Sequence, residues 1–380
     1  MEFKIFMNMK PQSICTAFMA VLLTFTSTAG NRFSPKLGSS KEFVIEKGVN
    51  IAHWLSQSDI RGEQRASMIT KKDFDALASY GFDHVRLPVD EEQIFHEDGT
   101  IDEKAMALAH NAIEWCREDG LRVVFDLHII RSHHFNGGSS NTLWSDLAQQ
   151  DKLIDLWMKL SDELKKYPNS LVAYDLLNEA VAPEDQQWSA LAARLIKAIR
   201  QHEKKRTIVL GSNSWDNVRK IKLLEVPEKD KNIILQFHFY EPFLLTHYQA
   251  SWTNQAHLNL SVSPQYPGRM VSDEVYAELN DHDKQIVKNY RQDFDKAKLL
   301  ETWLSAIDFA KQHGLKLYCG EFGCLRNADE KSRVAWIKDV VDLCRSNGIA
   351  YSLWAYNDSG FTFVQSDGSI NKPMLDALVK

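Results

Sequence analysis

Eight short β-rich runs, separated by longer amphipathic stretches, constrain this chain more than any other feature. They span residues 47–51, 84–87, 121–127, 171–177, 207–210, 232–237, 315–319 and 349–353. The run from Leu121 to Leu127 is almost continuously apolar, as a parallel strand covered on both faces must be. Residues 71–79, 102–118, 151–166, 185–202, 299–312 and 331–345 carry apolar side chains at helical spacing, and a short helical stretch lies near Leu375. Strands alternating with helices in this way predict an α/β fold of the closed (β/α)8, or TIM-barrel, type. An open dinucleotide-binding sheet would carry Gly-x-Gly-x-x-Gly after its first strand, and this chain has none. A single barrel with long loops accommodates the 380 residues, because the fold commonly runs to about 250 residues and grows by insertion. The longest connection, residues 241–295 after the sixth strand, holds Tyr248, Trp252 and Tyr266. Long loops in barrels gather on the active face, so this one is expected to touch substrate.

The first residues read differently. Lys4 and Lys10 precede an apolar run from Ile14 to Phe25, which ends in Ser27-Thr28-Ala29. That order of charge, short apolar core and small residues predicts a signal peptide over 1–29, followed by one domain over 30–380. The expected location is therefore periplasmic or extracellular. The apolar run is too short for a membrane span, and no membrane-spanning segment is expected. Cys116, Cys319, Cys324 and Cys344 allow three pairings among which the sequence does not choose; free, buried thiols are the expectation. A net charge of -6 with no basic stripe argues against a nucleic-acid partner, and a monomer is expected.

Polar residues interrupt the apolar pattern where strands end: Arg86, His128, Asn178 and Glu179, His238 and Tyr240, Glu321, and Trp354. A polar or charged group buried there is costly unless it is paired or used. The two glutamates fit the hydrolysis of a glycosidic bond. One carboxylic acid must protonate the leaving oxygen, and a second carboxylate must attack the anomeric carbon or activate water. Glu179 follows Leu176-Leu177-Asn178, and Glu321 sits in Cys319-Gly320-Glu321-Phe322-Gly323. Asp126 and Asp175 lie further back within their strands and read as structural.

From about Gly48 to Trp354 the sequence resembles glycoside hydrolase family five, the endoglucanase and cellulase family. The resemblance rests on arginine, histidine, Asn-Glu, His-x-Tyr, glutamate and tryptophan in this order at these strand ends. It implies that Glu179 is the acid/base and Glu321 the nucleophile of a retaining reaction. It further implies that Arg86 and Tyr240 hold the nucleophile and that Asn178 binds the 2-hydroxyl of the reacting sugar. His238 would then sit near the acid/base, with His128 and Trp354 contacting the sugar on the nonreducing side.

Trp54, Trp144 and Trp215 follow the first, third and fifth strands. Each is placed to line a cleft, with Trp215 the best additional stacking platform. His128, His133 and His134 have Arg131 among them and lack the i,i+4 pairing of a zinc hydrolase, so no metal is expected, and the reaction needs no cofactor. No Gly-x-Ser-x-Gly elbow supports an esterase. The expected function is a secreted endo-β-1,4-glucanase acting on β-glucan. The alternatives are a β-mannanase, mixed-linkage glucanase or xyloglucanase on the same barrel and, more distantly, a noncatalytic carbohydrate-binding protein.

Overall fold

A computed structural model describes residues 42–356 and 360–380, which fall within one compact unit. The expected signal peptide lies outside the described residues. Eight parallel strands close into a barrel: β1 (Lys47–Asn50), β2 (His84–Val89), β3 (Arg122–Leu127), β4 (Val172–Asp175), β5 (Ile208–Gly211), β6 (Ile233–Phe239), β7 (Lys316–Phe322) and β8 (Ala350–Leu353). Each strand pairs with its sequence neighbours, and β1 closes the ring against β8 with Val49 beside Leu353.

Around the barrel lie α1 (Lys71–Tyr80), α2 (Glu103–Asp119), α3 (Leu147–Leu164), α4 (Asp185–His202), α5 (Lys296–His313), α6 (Glu330–Ser346) and α7 (Lys372–Val379). Their limits follow from local chemistry. Asp102 caps α2 by accepting from the backbone N–H groups of Lys104 and Ala105, and Gly120 ends it at φ 76°, a left-handed turn that glycine adopts without strain. The expectation of a helix after every strand fails after β5. There Ser214, Trp215 and Asp216 all take positive φ, which stops a helix, and only a 3₁₀ segment, Val218–Leu223, covers that side.

Side chains alternate into and out of the barrel, as the pleat requires. The lower inward layer is apolar: Val124, Ala173, Val209, Ile234 and Tyr318 pack with Phe43, which plugs the barrel from below. Two residues further along β3, β4 and β6 the inward positions turn polar, with Asp126, Asp175 and Gln236 all fully buried, while β5 and β7 carry Gly211 and Gly320 there. Outside the strands, indoles tie the helices to the upper rim. Trp157 of α3 donates to the Leu176 carbonyl (2.8 Å), Trp188 of α4 to Gly211 (2.8 Å), and Trp336 of α6 to Glu241 (3.0 Å). Each buried indole removes roughly 200 Å² from water while keeping its N–H satisfied. These contacts hold the carboxyl ends of β4, β5 and β6, where the functional side chains stand.

The insertion after β6 divides by role. Residues 241–253 reach the mouth of the barrel, whereas Tyr266 packs back on α6, its hydroxyl donating to Asp339 (2.9 Å) and its backbone N–H to the Ser332 hydroxyl (3.1 Å). At the opposite end the first strand meets the last helix: Lys47 Nζ donates to the Val379 carbonyl (2.9 Å), and the Asp83 carboxylate accepts from the Glu46 and Lys47 backbone. Cys116, Cys319, Cys324 and Cys344 are buried and free. Among the described residues, no helix is long and apolar enough to cross a membrane.

Candidate active site

Arg86 is the hub on which the site is built. Rising from β2 with no exposed surface, it donates to Asp175 (2.9 Å), Glu321 (2.7 Å), Asn178 (2.9 Å) and Asn50 (3.1 Å), and pairs with Asp126 at 3.0 Å. Arg86 reaches Glu321 from beneath and does not itself line the cleft. It lies beneath the cleft and is fully occupied by protein groups, so it orients the residues that face the ligand. Asp126 and Asp175 are its structural counter-ions, as their place within the strands suggests.

Glu321 is aimed by a register break. Phe237 of β6 pairs with Cys319, yet His238 pairs with Glu321, so Gly320 is left over as a bulge. A bulge re-aims the following side chain. Gly320 is needed there because a Cβ would lie 2.2 Å from Gln236 Oε1, and its carbonyl is pinned by Asn50 Nδ2 at 3.0 Å. Glu321 then accepts from Arg86 below and from the Tyr240 hydroxyl at 3.0 Å beside it.

Glu179 stands four residues beyond the last ladder position of β4, at φ 48°. A left-handed glutamate costs about 1–3 kcal/mol and persists only when its surroundings hold it. The grips are visible. Asn178 N donates to Leu127 (3.1 Å), Glu179 N to the Asp216 carboxylate (3.3 Å), and Val181 N to His133 (3.3 Å). Asn213 clamps Ala182 through both its N–H and its carbonyl. His238 Nδ1 lies 2.9 Å from Glu179 Oε1 and 3.5 Å from Glu321 Oε2, so the imidazole bridges the two carboxyls.

Burial pushes both glutamates up, each to about 7. Equal values leave their division of labour undecided, and the hydrogen bonds break the tie. Glu321 holds two donors that favour its ionised form, whereas Glu179 faces only a histidine that burial keeps neutral, at about 4. This hydrogen bonding favours the ionised form of Glu321 and the protonated form of Glu179. Burial also lifts Tyr240 far above its ordinary range, which keeps its hydroxyl a donor. Carboxylate oxygens of Glu179 and Glu321 and Nδ1 of His238 lie within 4.8 Å of one another, close enough to ligate an ion. The Arg86 guanidinium already supplies the positive charge such an ion would bring, so the set reads as a proton-handling group.

Above these groups opens a cleft of about 990 Å³. That is at the upper end for ligand sites and suits an oligomer better than one small ring. Trp354 lines it, stacked on His128 with centroids 5.5 Å apart at 9°. His128 is itself fixed, its Nδ1 2.7 Å from Asp126 and its Nε2 2.7 Å from the Gln57 amide. Trp215 is 52% exposed over the cleft and anchored by its N–H to the Phe135 carbonyl (2.9 Å). Trp252, from the insertion, is 62% exposed at the rim.

Two expected cleft residues do not reach it. Trp54 is fully buried and donates to the Arg65 carbonyl (2.8 Å): its neighbour His53 faces the cleft, and the chain sends adjacent side chains opposite ways. Trp144 packs edge-on against Trp188 and His133 and lies behind the wall. Asp216, Gln57 and Phe135 were not anticipated. They sit in irregular loops whose sequence shows no period.

Residues 44–360 match the cellulase family, glycosyl hydrolase family 5. The chain belongs to this family. Endoglucanase C of Acetivibrio thermocellus is 32% identical over 340 residues, covering 88% of this chain and 97% of its relative. Cellodextrinase A of Ruminococcus flavefaciens is 27% identical, covering 80% of this chain and 84% of its own. Among solved structures, endoglucanase Cel5A of Thermotoga maritima superposes with a TM-score of 0.71 at 25% identity, covering 88% of this chain and 97% of that one. A family 5 glycoside hydrolase is thus what this barrel carries, and its relatives include endoglucanases.

Proposed function

We propose that the protein is an exported, monomeric, retaining endo-β-1,4-glucanase in which Glu321 is the nucleophile and Glu179 the acid/base. One observation carries the reading: carboxylate oxygens of the two residues lie within 4.8 Å of each other. Retaining enzymes keep their carboxyl groups about 5–5.5 Å apart, whereas inverting ones leave about 6.5–9.5 Å for a water. Glu321, ionised and held by Arg86 and Tyr240, attacks the anomeric carbon while Glu179 protonates the departing oxygen. A glycosyl ester on Glu321 results. Glu179, now ionised, takes a proton from the water that hydrolyses the ester, and the original configuration returns. Asn178, held by Arg86, offers its amide to the 2-hydroxyl, a contact that tightens as positive charge develops at the ring. Trp354 and His128 form the floor for the sugar on the nonreducing side, with Trp215 a further platform. Endo action suits a cleft of this volume flanked by exposed tryptophans.

The test is product analysis on carboxymethyl cellulose, mixed-linkage glucan, xyloglucan and mannan, for the wild type, Glu179→Gln and Glu321→Gln. Cleavage of β-1,4-glucan with β-configured initial products by NMR, lost in both variants, supports the assignment. Inverted products, or an active Glu321→Gln, defeat it. Mannan as the preferred substrate would retain the mechanism and replace the glucanase reading.

A further inference from the structure

Asp216 has entered so far only as a grip on the Glu179 backbone, yet it reaches the proposed acid/base by two routes. Its Oδ2 accepts directly from the Glu179 backbone N–H (3.3 Å) and lies 3.3 Å from His238 Nε2, while the other ring nitrogen is 2.9 Å from Glu179 Oε1. We propose that Asp216 is a positioning residue for the acid/base and shares one proton with Glu179 through the imidazole of His238. The proposal rests on Glu179 being the acid/base.

The site is built for this carboxyl. Asp216 is fully buried, and a Cβ on Gly211 would lie 1.9 Å from its Oδ1. Ser214, Trp215 and Asp216 take φ of 61°, 62° and 50°, three consecutive left-handed residues that deliver the side chain to this place. Each costs about 1–3 kcal/mol, an expense that a surface loop has no reason to keep. Two buried atoms here, His238 Nε2 and Asp216 Oδ1, have no aligned partner among the described residues. Oδ2 of Asp216 is nevertheless within 3.3 Å of Nε2, so a small ring rotation completes the bond.

Charge balance explains why a proton belongs there. Asp126, Asp175, Glu179, Asp216 and Glu321 share one fixed cation, Arg86, and burial keeps His238 neutral. Five carboxyls against one guanidinium must retain protons. Asp216 is faced by Asp175 and Glu179 from the β4 end, by Gln236 and His238 from β6, and more remotely by Arg86 from β2. Burial, then the two neighbouring carboxyls, lifts it well above the ordinary carboxylate range.

The shared proton has two positions. In one, the Glu179 hydroxyl donates to Nδ1 of His238, and Nε2–H donates to ionised Asp216. In the other, Nδ1–H donates to ionised Glu179, and the Asp216 hydroxyl donates to Nε2. Passing between them moves two protons one step each; the imidazole stays neutral and the total charge is unchanged. Formation of the glycosyl ester removes one proton from the pair, to the leaving oxygen, and attack by water returns one. Because two linked carboxylates resist ionising together, Asp216 raises the affinity of Glu179 for the proton it must deliver.

The experiment compares wild type, Asp216→Asn and Glu179→Gln on cellopentaose and on 2,4-dinitrophenyl β-cellobioside, whose leaving group needs no protonation. For Asp216→Asn, kcat/KM on cellopentaose should fall about tenfold or more, with the aryl substrate within about twofold of wild type. Its alkaline limb should move to lower pH, since removing the partner charge lets Glu179 ionise earlier. An equal loss on both substrates, no loss, or an unmoved limb overturns the proposal. If Glu179→Gln fails to show the leaving-group-dependent loss, the acid/base reading itself is wrong; if it shows the loss and Asp216→Asn does not, only the proposal falls. Should Asp216→Asn not fold, ¹⁵N NMR of the wild-type histidines decides. Tautomer exchange at His238 across the alkaline limb is expected, and one fixed tautomer throughout refutes the sharing.

Discussion

Replacing Glu179 by glutamine should make the protein more stable at alkaline pH while inactivating it. Glu179 is only 13% exposed at its side chain, and burial lifts it from an ordinary 4.5 to about 7. A carboxyl whose folded value exceeds its unfolded value binds its proton more tightly in the native state. The stability this contributes is complete below pH 4.5 and is lost as pH rises through about 7. Each unit of that difference is worth about 1.4 kcal/mol, so at pH 8 ionised Glu179 costs the fold about 3 kcal/mol. Glutamine is neutral, of similar size, and can still hydrogen-bond His238, so it removes the cost. Unfolding entropy of roughly 2 cal/mol/K per residue over about 340 residues turns 3 kcal/mol into a rise in Tm of about 4 °C. The assay is thermal unfolding of wild type and Glu179→Gln side by side at pH 4 and pH 8. The gain should appear at pH 8 and vanish at pH 4. An equal gain at both pH values would trace the effect to packing, and a loss at pH 8 would refute the reasoning about burial.

Tyr240→Phe deletes the 3.0 Å hydrogen bond to Glu321 and leaves the ring in place. A hydrogen bond to a charged group is worth about 1.5–3 kcal/mol, so kcat/KM should fall roughly 10–100-fold. The acid limb of its pH profile should move to higher pH, because Glu321 loses a donor that favours ionisation; an unmoved limb would remove Tyr240 from the nucleophile's support. Trp252→Ala should raise KM for long cello-oligosaccharides about fivefold, or about 1 kcal/mol, and leave short aryl substrates and Tm unchanged. A KM equal to wild type on every substrate would make this 62% exposed indole a bystander.

The barrel was legible because both of its periods are written plainly, and α4 begins and ends where its apolar spacing does. Strand ends were harder. The pattern closes the sixth strand at residue 237 and the seventh at 319, yet β6 and β7 continue to Phe239 and Phe322. Inward-facing polar residues break the apolar run without breaking the ladder, so His238 and Glu321 lie within strands. Glu179 and Glu321 stood out as charges in otherwise apolar surroundings. Trp54 misled because its position beyond β1 fixes a neighbourhood and leaves the direction of the side chain open. Asp216 was invisible. Its placement comes from three consecutive left-handed residues and from the room left by Gly211 five residues earlier, and neither leaves a mark in a sequence that reads simply as a turn.

The meeting of Lys47 with Val379 beneath the barrel has a practical consequence. The first strand of the barrel and the last helix are joined by a hydrogen bond on the face opposite the cleft. A short Gly/Ser bridge between them would turn the barrel into a ring without distorting it. New termini could then be opened elsewhere, for instance in the part of the insertion that packs on α6, giving a circularly permuted enzyme with an unaltered cleft. By the same geometry, a surface tether or fused partner placed at either end would hang from the underside and leave a long polymer free to thread the open top.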